Sequence, residues 1–138
     1  MRHRLYLDAN VVVDLLAQRQ PFYSHIARIA TLADTGKLEL ILSPLSVGIV
    51  SYILSKYEKP SQVINKLNRF MIICTIATMD NDTVMKALNS EFSDFEDAMQ
   101  HYCAISAKCS VIITRNGRDF IKSDLPVMTP KEFLATHS

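Results

Sequence analysis

Five short runs of apolar residues divide the sequence, and most of them are unbroken by polar residues. The runs are Leu5 to Leu7, Leu38 to Leu42, Ile72 to Ile76, Val111 to Thr114 and Val127-Met128. A strand with one solvent-facing side alternates apolar and polar residues, whereas a strand covered on both faces is apolar throughout. The sequence therefore predicts a buried, mostly parallel sheet with helices on both sides.

The stretches between these runs carry helix start and stop signals. Ser43-Pro44 places a capping serine before a proline at the first helical position. The stretches from Ser93 to Glu96 and from Thr129 to Glu132 both fit the capping box. Gly36 is expected to close a helix that begins near Phe22. With 3 glycines and 5 prolines scattered along the chain and no linker, residues 1–138 are predicted to form a single α/β domain.

Composition limits the setting in which the protein works. A formal charge of +1 gives no broad basic field, so a nucleic acid would have to be bound by a local patch. The 3 cysteines form neither an even set nor a Cys-x-x-Cys pair, which argues against a disulfide framework and a thiolate zinc site. The apolar stretch from Leu38 to Leu54 contains Glu39 and Pro44 and is too short to cross a bilayer. Because the amino terminus also has no secretory signal, we expect a cytoplasmic protein without membrane association.

Acidic residues follow the predicted strands. Asp8 ends the first apolar run in "RLYLDANVVVD", and Asp119 follows "VIIT" together with Asn116. Asp94 and Asp97 lie one helical turn apart in "SDFEDAMQHYCA", which leads into that same strand. Side chains beyond the carboxyl ends of parallel strands gather at one edge of the sheet, so we expect these groups to converge.

Each acid also has a structural explanation. Asp8 fits the capping position of the following helix as well as it fits a metal ligand. For Asp94 and Glu96 the structural role is favoured, since both suit the start of a helix. Asp97 lies beyond the predicted capping positions, on the side of the helix that should pack, which favours a functional role. Asp119 also fits an ordinary loop residue.

Two further groups of polar residues are interpreted as structural. Asp14 is expected on the exposed side of the first helix. The four histidines, at positions 3, 25, 101 and 137, are dispersed without metal-ligand spacing and are predicted to be surface or packing residues. His101 follows Asp97 by one helical turn and would therefore lie near any site that Asp97 forms.

Three segments in order resemble the signature segments of PIN domains, the nucleases that include VapC-type toxins. They are "LYLDANVVVDLL", "DFEDAMQHYCA" and "VIITRNGRDF", and the resemblance covers nearly the whole chain. It implies a three-layer α/β/α fold with a central parallel sheet of about five strands. It also implies Mg²⁺ or Mn²⁺ bound by acids, and RNA as the substrate. By match to the motifs, Asp8, Asp97 and Asp119 would be the catalytic, metal-binding acids, with Asn116 and Asp94 as accessories.

The sequence departs from the family's pattern on the helix after the second strand. PIN nucleases usually carry a glutamate there, whereas "SPLSVGIVSYIL" has no acid and places Ile49 at about that position. We expect Ile49 to form a wall of the acidic pocket. Ser46, one turn earlier, is predicted to hold a metal-bound water. Without the glutamate a second metal ion is harder to hold, which favours one protein-held ion.

Cations near Asn116 are candidates for substrate binding. Arg115 and Arg118 bracket Asn116, and arginine forks suit phosphate geometry. They also fit solvated loop charges. No aromatic residues cluster with them along the chain, so the sequence predicts no platform for stacking bases.

Two functions remain open from the sequence. The first is a metal-dependent endoribonuclease, the toxin of a toxin–antitoxin pair, inhibited by a small antitoxin protein that covers the acidic pocket. The second is a catalytically degenerate PIN-like domain that binds RNA or a protein partner, for which Ile49 is the best argument. The first function is favoured because the chain retains Asp8, Asp97 and Asp119 together. A pocket that no longer bound metal would be more stable with these acids neutralised. A homodimer is expected from the resemblance.

Overall fold

The computed structural model describes residues 2–137, which contain one five-stranded parallel sheet with helices on both faces. The fold predicted from the sequence is confirmed. The strands are β1 (His3–Leu7), β2 (Leu38–Leu42), β3 (Cys74–Ile76), β4 (Val111–Ile113) and β5 (Val127–Met128). Their spatial order is β3-β2-β1-β4-β5. Three boundaries differ from the prediction, since β1 begins at His3 rather than Leu5, β3 begins at Cys74 rather than Ile72, and β4 ends at Ile113 rather than Thr114.

Helices connect the strands and cover both faces of the sheet. Within residues 2–137 they are α1 (Ala9–Leu16), α2 (Tyr23–Asp34), α3 (Pro44–Leu54), α4 (Pro60–Phe70), α5 (Asn81–Leu88), α6 (Phe95–Ser106) and α7 (Pro130–Thr136), with a short 3-10 helix at Gly117–Phe120. None of these helices has both the length and the apolar character of a membrane span.

Several helix ends follow the predicted signals. The Ser43 hydroxyl oxygen accepts a hydrogen bond from the Ser46 amide at 3.0 Å and so caps α3. Thr129 and Glu132 form the predicted capping box of α7. Gly36 follows α2 with a φ of +81°, a conformation that side chains disfavour. These local signals fix where the chain leaves each helix.

The start of α6 differs from the prediction by one residue. Asp94, rather than Ser93, is the capping residue, and its Oδ1 accepts a hydrogen bond from the Asp97 amide at 2.9 Å. A carboxylate brings a negative charge to the helix amino terminus, which a serine hydroxyl does not. The prediction that Asp97 lies beyond the capping positions is therefore wrong, because Asp97 is the third residue of α6.

The two faces of the sheet bury different clusters of side chains. Successive residues of a strand point to opposite faces. Leu5 and Leu7 pack with residues of α1, α2, α3 and α7 in the larger cluster. Tyr6, between them, packs on the opposite face with Ile112 of β4 and Cys103 of α6. Asp8 continues the Tyr6 side of the strand, which faces α6.

The carboxyl ends of β1 and β4 form the place where the strand order reverses. From central β1 the chain adds β2 and β3 on one side, and β4 and β5 on the other. Connections leaving β1 and β4 therefore diverge, and in open parallel sheets ligands bind in the resulting crevice. Asp8 follows β1 directly, and Thr114 follows β4 directly.

Candidate active site at the carboxyl edge of the sheet

Asp8 lies at the carboxyl end of the central strand β1, and its side chain is bonded to the residue that follows the neighbouring strand β4. Its backbone occupies the capping position of α1, but its side chain makes no capping hydrogen bond. Instead Asp8 Oδ2 accepts a hydrogen bond from the Thr114 hydroxyl at 2.8 Å. The side chain is only 6% exposed, and this burial raises the pKa of the Asp8 carboxyl, against the lowering effect of the Thr114 bond. Capping therefore does not explain the Asp8 side chain.

Thr114 links Asp8 to the loop that follows β4. While donating to Asp8, its Oγ1 accepts a hydrogen bond from the Asn116 amide at 3.1 Å. The Asn116 carbonyl in turn accepts from the Asp119 amide at 3.1 Å. Because the Thr114 hydroxyl both donates and accepts a hydrogen bond, it fixes the orientation of the Asp8 carboxylate. The sequence reasoning assigned Thr114 only to the strand and missed this role.

Asp97 faces the same edge from α6. Burial raises the pKa of its carboxyl from 3.8 to about 7, with a further contribution from the Asp94 carboxylate. The charges of Asp119 and Asp8 raise the Asp97 pKa as well. The charge of Asp119 also raises the pKa of Asp8. The three acids singled out from the sequence thus lie near enough to repel one another, although Asp119 itself is exposed.

The acids are close without forming a closed metal cage. Among residues 2–137, no group of three or more histidine, cysteine, aspartate or glutamate side chains is arranged to hold a metal ion. The donors available are carboxylate and hydroxyl oxygens, the ligand type that Mg²⁺ and Mn²⁺ prefer. Burial and the charges of neighbouring carboxylates raise the pKa of Asp97 to about 7, and a bound cation would offset both effects by favouring the ionised carboxylate. The residues therefore fit a hard divalent ion held by few carboxylates and completed by water.

A buried, uncharged network lies beside the acids on the α6 face. Gln100 Oε1, one turn after Asp97, accepts from the Ser46 hydroxyl at 3.1 Å and from the Tyr6 hydroxyl at 3.4 Å. The Tyr6 hydroxyl oxygen also lies 2.9 Å from Ser43 Oγ. Ser46 has no exposed surface, so its hydroxyl serves this network. A water ligand held by Ser46 stays a prediction from the sequence.

Comparison with known proteins identifies the family. Residues 4–118 match the family model described as the PIN domain. The chain belongs to the PIN domain family. It is also 26% identical over 135 residues to Ribonuclease VapC1 of Aquifex aeolicus (strain VF5), a match that covers 94% of this chain and 92% of that protein.

Solved structures share the fold of this PIN domain. The structure of VapBC2 from Rickettsia felis, bound to a DNA fragment from its promoter, contains a chain that matches with a TM-score of 0.69 and 18% identity, covering 91% of this chain and 96% of that chain. A toxin–antitoxin complex from Klebsiella pneumoniae contains a chain that matches with a TM-score of 0.67 and 20% identity, covering 91% of this chain and 97% of that one. At these identities the likeness establishes the fold.

Ile49 is the residue that the sequence places at about the position of the usual PIN glutamate. It is partly buried, packs against the larger core cluster and lines an apolar groove. Glu96, the residue before Asp97, lines the same groove. The Ile49 side chain is therefore neither deep in the core nor fully exposed. Contact between Ile49 and the acids themselves stays a prediction.

Asp14 of this PIN domain is buried, so the prediction of an exposed Asp14 is wrong. It is 1% exposed, and its carboxylate accepts hydrogen bonds from two arginines. Asp14 Oδ1 accepts from Arg19 Nε at 2.8 Å, and Oδ2 accepts from Arg115 Nε at 2.7 Å. These charge-assisted bonds offset the cost of removing the carboxylate from water. Arg115, predicted to bind substrate, is thus held in place by Asp14.

Arg115 also contacts an aromatic ring that the sequence did not place near it. Its guanidinium carbon lies 4.0 Å from the centroid of the Phe22 ring, within the range of a cation–π contact. The sequence predicted no platform for stacking bases beside these cations, and the structure brings one aromatic ring, that of Phe22, to Arg115. Phe22 and Arg115 are far apart in sequence, and the fold brings them together. Arg118 and Lys122 are exposed and take part in none of the ion pairs found within residues 2–137.

His101 has a packing role, as predicted. Its ring is fully buried between Phe92 and Tyr102, with centroid separations of 4.8 and 4.7 Å. Nε2 accepts from the Asp124 amide at 3.0 Å, whereas Nδ1 has no hydrogen-bond partner within residues 2–137. Burial lowers the pKa of His101. The neutral ring thus anchors the loop after the 3-10 helix.

Proposed function

We propose that this PIN domain is a metal-dependent endoribonuclease and the toxin of a toxin–antitoxin pair. The observation that carries the proposal is the electrostatic proximity of Asp8, Asp97 and Asp119, at a site where burial first, and then the charges of Asp94, Asp119 and Asp8, raise the pKa of Asp97 to about 7. Perturbed carboxyls gathered at a crevice are typical of catalytic sites. The relatives support the proposal, because Ribonuclease VapC1 is similar to nearly the whole chain and the structures that share the fold include toxin–antitoxin complexes.

Asp8, Asp97 and Asp119 would hold Mg²⁺ or Mn²⁺. When bound, the ion supplies polarisation of the scissile phosphate and a lowered pKa for the attacking water. Mg²⁺ commonly uses one or two protein carboxylates and keeps several waters, which agrees with acids that converge without closing a cage. The specific ion belongs to the proposal.

The surrounding residues position the acids. Thr114 keeps the Asp8 carboxylate in one orientation through its 2.8 Å hydrogen bond. Asp94 caps α6 and so sets the place of Asp97 in the first turn. Arg118, exposed on the 3-10 helix, is free to meet an RNA phosphate. Asn116 and Asp94 remain accessory candidates.

A second function is favoured by two observations. Ile49 replaces the usual glutamate, and no three-acid metal group is preformed within the described residues. Both fit a PIN domain that binds RNA or protein without turnover. With the first function we expect a small antitoxin protein as the partner. We also expect a cytoplasmic location and a homodimer, and all three remain predictions.

The test is RNA cleavage by wild-type protein and the Asp97→Asn variant. Purified protein is incubated with structured and single-stranded RNA in Mn²⁺, in Mg²⁺ and in EDTA. Asp34→Asn is the matched control, since it makes the same chemical change at an exposed residue at the end of α2. Cleavage that requires metal, survives Asp34→Asn and is lost in Asp97→Asn supports the nuclease. RNA binding without cleavage by the wild type would favour the degenerate domain.

A further inference from the structure

A cleft of about 360 Å³ opens between the start of α2 and the start of α7. The surface of the cleft is mostly apolar and includes basic side chains. The lining residues are Pro21, Phe22, His25, Arg115, Thr129, Pro130 and Lys131. Pockets of this size accept small ligands or parts of larger ones. The acids of the proposed nuclease site do not line it.

Arg115 and Phe22, which lie in contact, form one wall of the cleft. Asp14 holds the Arg115 fork by two bonds, of 2.7 Å to Nε and 3.3 Å to Nη2. The guanidinium carbon sits 4.0 Å from the centre of the Phe22 ring, yet that residue is still 39% exposed. An aromatic surface held in place and open to solvent is what a nucleic-acid base stacks on.

The charge of the cleft suits a polyanion. Of the residues that line it, Arg115 and Lys131 are cationic and none is acidic. The nearest carboxylate partner described is Asp14, which is buried beneath Arg115 and shared with Arg19. One carboxylate facing two arginines leaves a positive balance, to which Lys131 adds.

The cleft adjoins the acids through consecutive residues. Thr114 turns to one side of the sheet and bonds Asp8, while Arg115 turns to the other side and bonds Asp14. The Arg115 charge also lowers the pKa of the Asp8 carboxyl. The acids and the cleft thus flank the same segment of chain, and we expect an RNA strand whose phosphate reaches Asp8 to extend toward Phe22.

We propose that this cleft binds one nucleotide of single-stranded RNA next to the scissile phosphate, with its base on Phe22 and its phosphate on Lys131. The inference rests on the proposed ribonuclease function and deepens it by naming a substrate subsite. A duplex keeps its bases stacked inside, so the cleft selects unpaired nucleotides.

The test measures the affinity of a fluorescent single-stranded oligouridylate in EDTA, which removes divalent ions and prevents metal-dependent cleavage. Phe22→Leu keeps an apolar side chain but removes the ring, and Phe22→Tyr restores it. Tyr57→Leu is the control for loss of an exposed aromatic elsewhere. Lys131→Gln is compared with Lys37→Gln, which removes the same charge just before β2, at the amino edge of the sheet.

We expect Phe22→Leu to weaken binding roughly fivefold or more, and Phe22→Tyr and Tyr57→Leu to bind as the wild type does. Lys131→Gln should reduce the slope of log affinity against log salt by about 0.7, with no such change in Lys37→Gln. A duplex RNA of the same length should not respond to Phe22→Leu. Melting curves of each variant establish that it is folded.

The outcomes separate this inference from the nuclease proposal. If the folded Phe22→Leu and Lys131→Gln variants bind RNA with the affinity of the wild type, the subsite is overturned, even if RNA is cleaved. The cleft would then be left for a protein partner. Binding that depends on Phe22 in a protein that cleaves no RNA would support the subsite and refute the nuclease. Failure of the wild type to bind any single-stranded RNA would overturn the subsite outright.

Discussion

Replacing Asp97 by asparagine should make the metal-free protein more stable at pH 8. The folded structure raises the pKa of Asp97 from 3.8 to about 7, so the folded protein holds a proton that the unfolded chain has released between these values. The free energy of unfolding therefore falls as pH rises through this window, and the full penalty is present above pH 7. Asparagine carries no charge and escapes the penalty.

The magnitude follows from the same shift. Each pKa unit corresponds to ~1.4 kcal/mol, which gives ~4 kcal/mol for an unscreened group. Asp97 is only partly buried, so solvent screening reduces this to on the order of 1–2 kcal/mol. An anion in the first turn of α6 is worth ~0.3–1 kcal/mol to the helix, and asparagine loses that term. The net gain is about 1 kcal/mol, or ~3–5 °C in melting temperature for a chain of this size.

The assay is melting temperature against pH in EDTA for wild type, Asp97→Asn and Asp34→Asn. The two Asp97 forms should converge near pH 4, where the wild-type carboxyl is protonated, and separate as pH rises to 7. Adding Mn²⁺ should then stabilise the wild type more than Asp97→Asn. A destabilised Asp97→Asn at pH 8, or a difference that does not change with pH, would show that Asp97 is a structural residue and refute the argument.

Three further substitutions test neighbouring parts of the structure. Ile49→Glu should enlarge the Mn²⁺-dependent rise in melting temperature relative to Ile49→Gln, and equal responses would show that α3 does not present this position to the acids. Asp14→Asn should lower the free energy of unfolding, measured with denaturant, by about 2–3 kcal/mol, because it breaks the ion pairs with two arginines. Asp82→Asn, which breaks an exposed ion pair with Lys86, should lower it by under ~1 kcal/mol. His101→Phe should remove a loss of stability on acidification from pH 6.5, since burial lowers the pKa of His101 and only the unfolded chain takes up the proton; an unchanged pH profile would contradict this.

Local signals explain which parts of the fold were predictable. Apolar runs and capping signals each involve only a few neighbouring residues. They located all five strands to within about two residues and most of the helix ends that were predicted. The one shifted start, at α6, came from choosing between Ser93 and Asp94, two adjacent residues that can both cap. Because parallel strands deliver their carboxyl ends to one edge, Asp8 and Asp119 could be expected there before the structure was known.

Long-range pairing explains what the sequence did not show. Asp14 was expected at the surface, but its burial depends on Arg115, which is 101 residues away. The bond from Tyr6 to Gln100 spans 94 residues, and the contact between Phe22 and Arg115 is also non-local. A carboxylate five residues before an arginine, as in Asp14 and Arg19, is a signal that was available. The remaining partners follow only from the assembled sheet.

We expect the charge that surrounds the acids to limit the number of metal ions that this site binds. In place of a glutamate the chain has Ile49, and beside Asp97 it has the uncharged network of Ser46 and Gln100. One divalent ion offsets two carboxylates, which is the number Mg²⁺ usually takes from a protein, and a second ion would have to rely on the exposed Asp119 without a glutamate from α3. We therefore expect calorimetric titration with Mn²⁺ to saturate at one ion per chain without RNA, and at two in Ile49→Glu if α3 faces the acids. Two ions bound by the wild type alone would show that the neutral network does not limit the site, and that RNA phosphates are not needed to recruit the second ion.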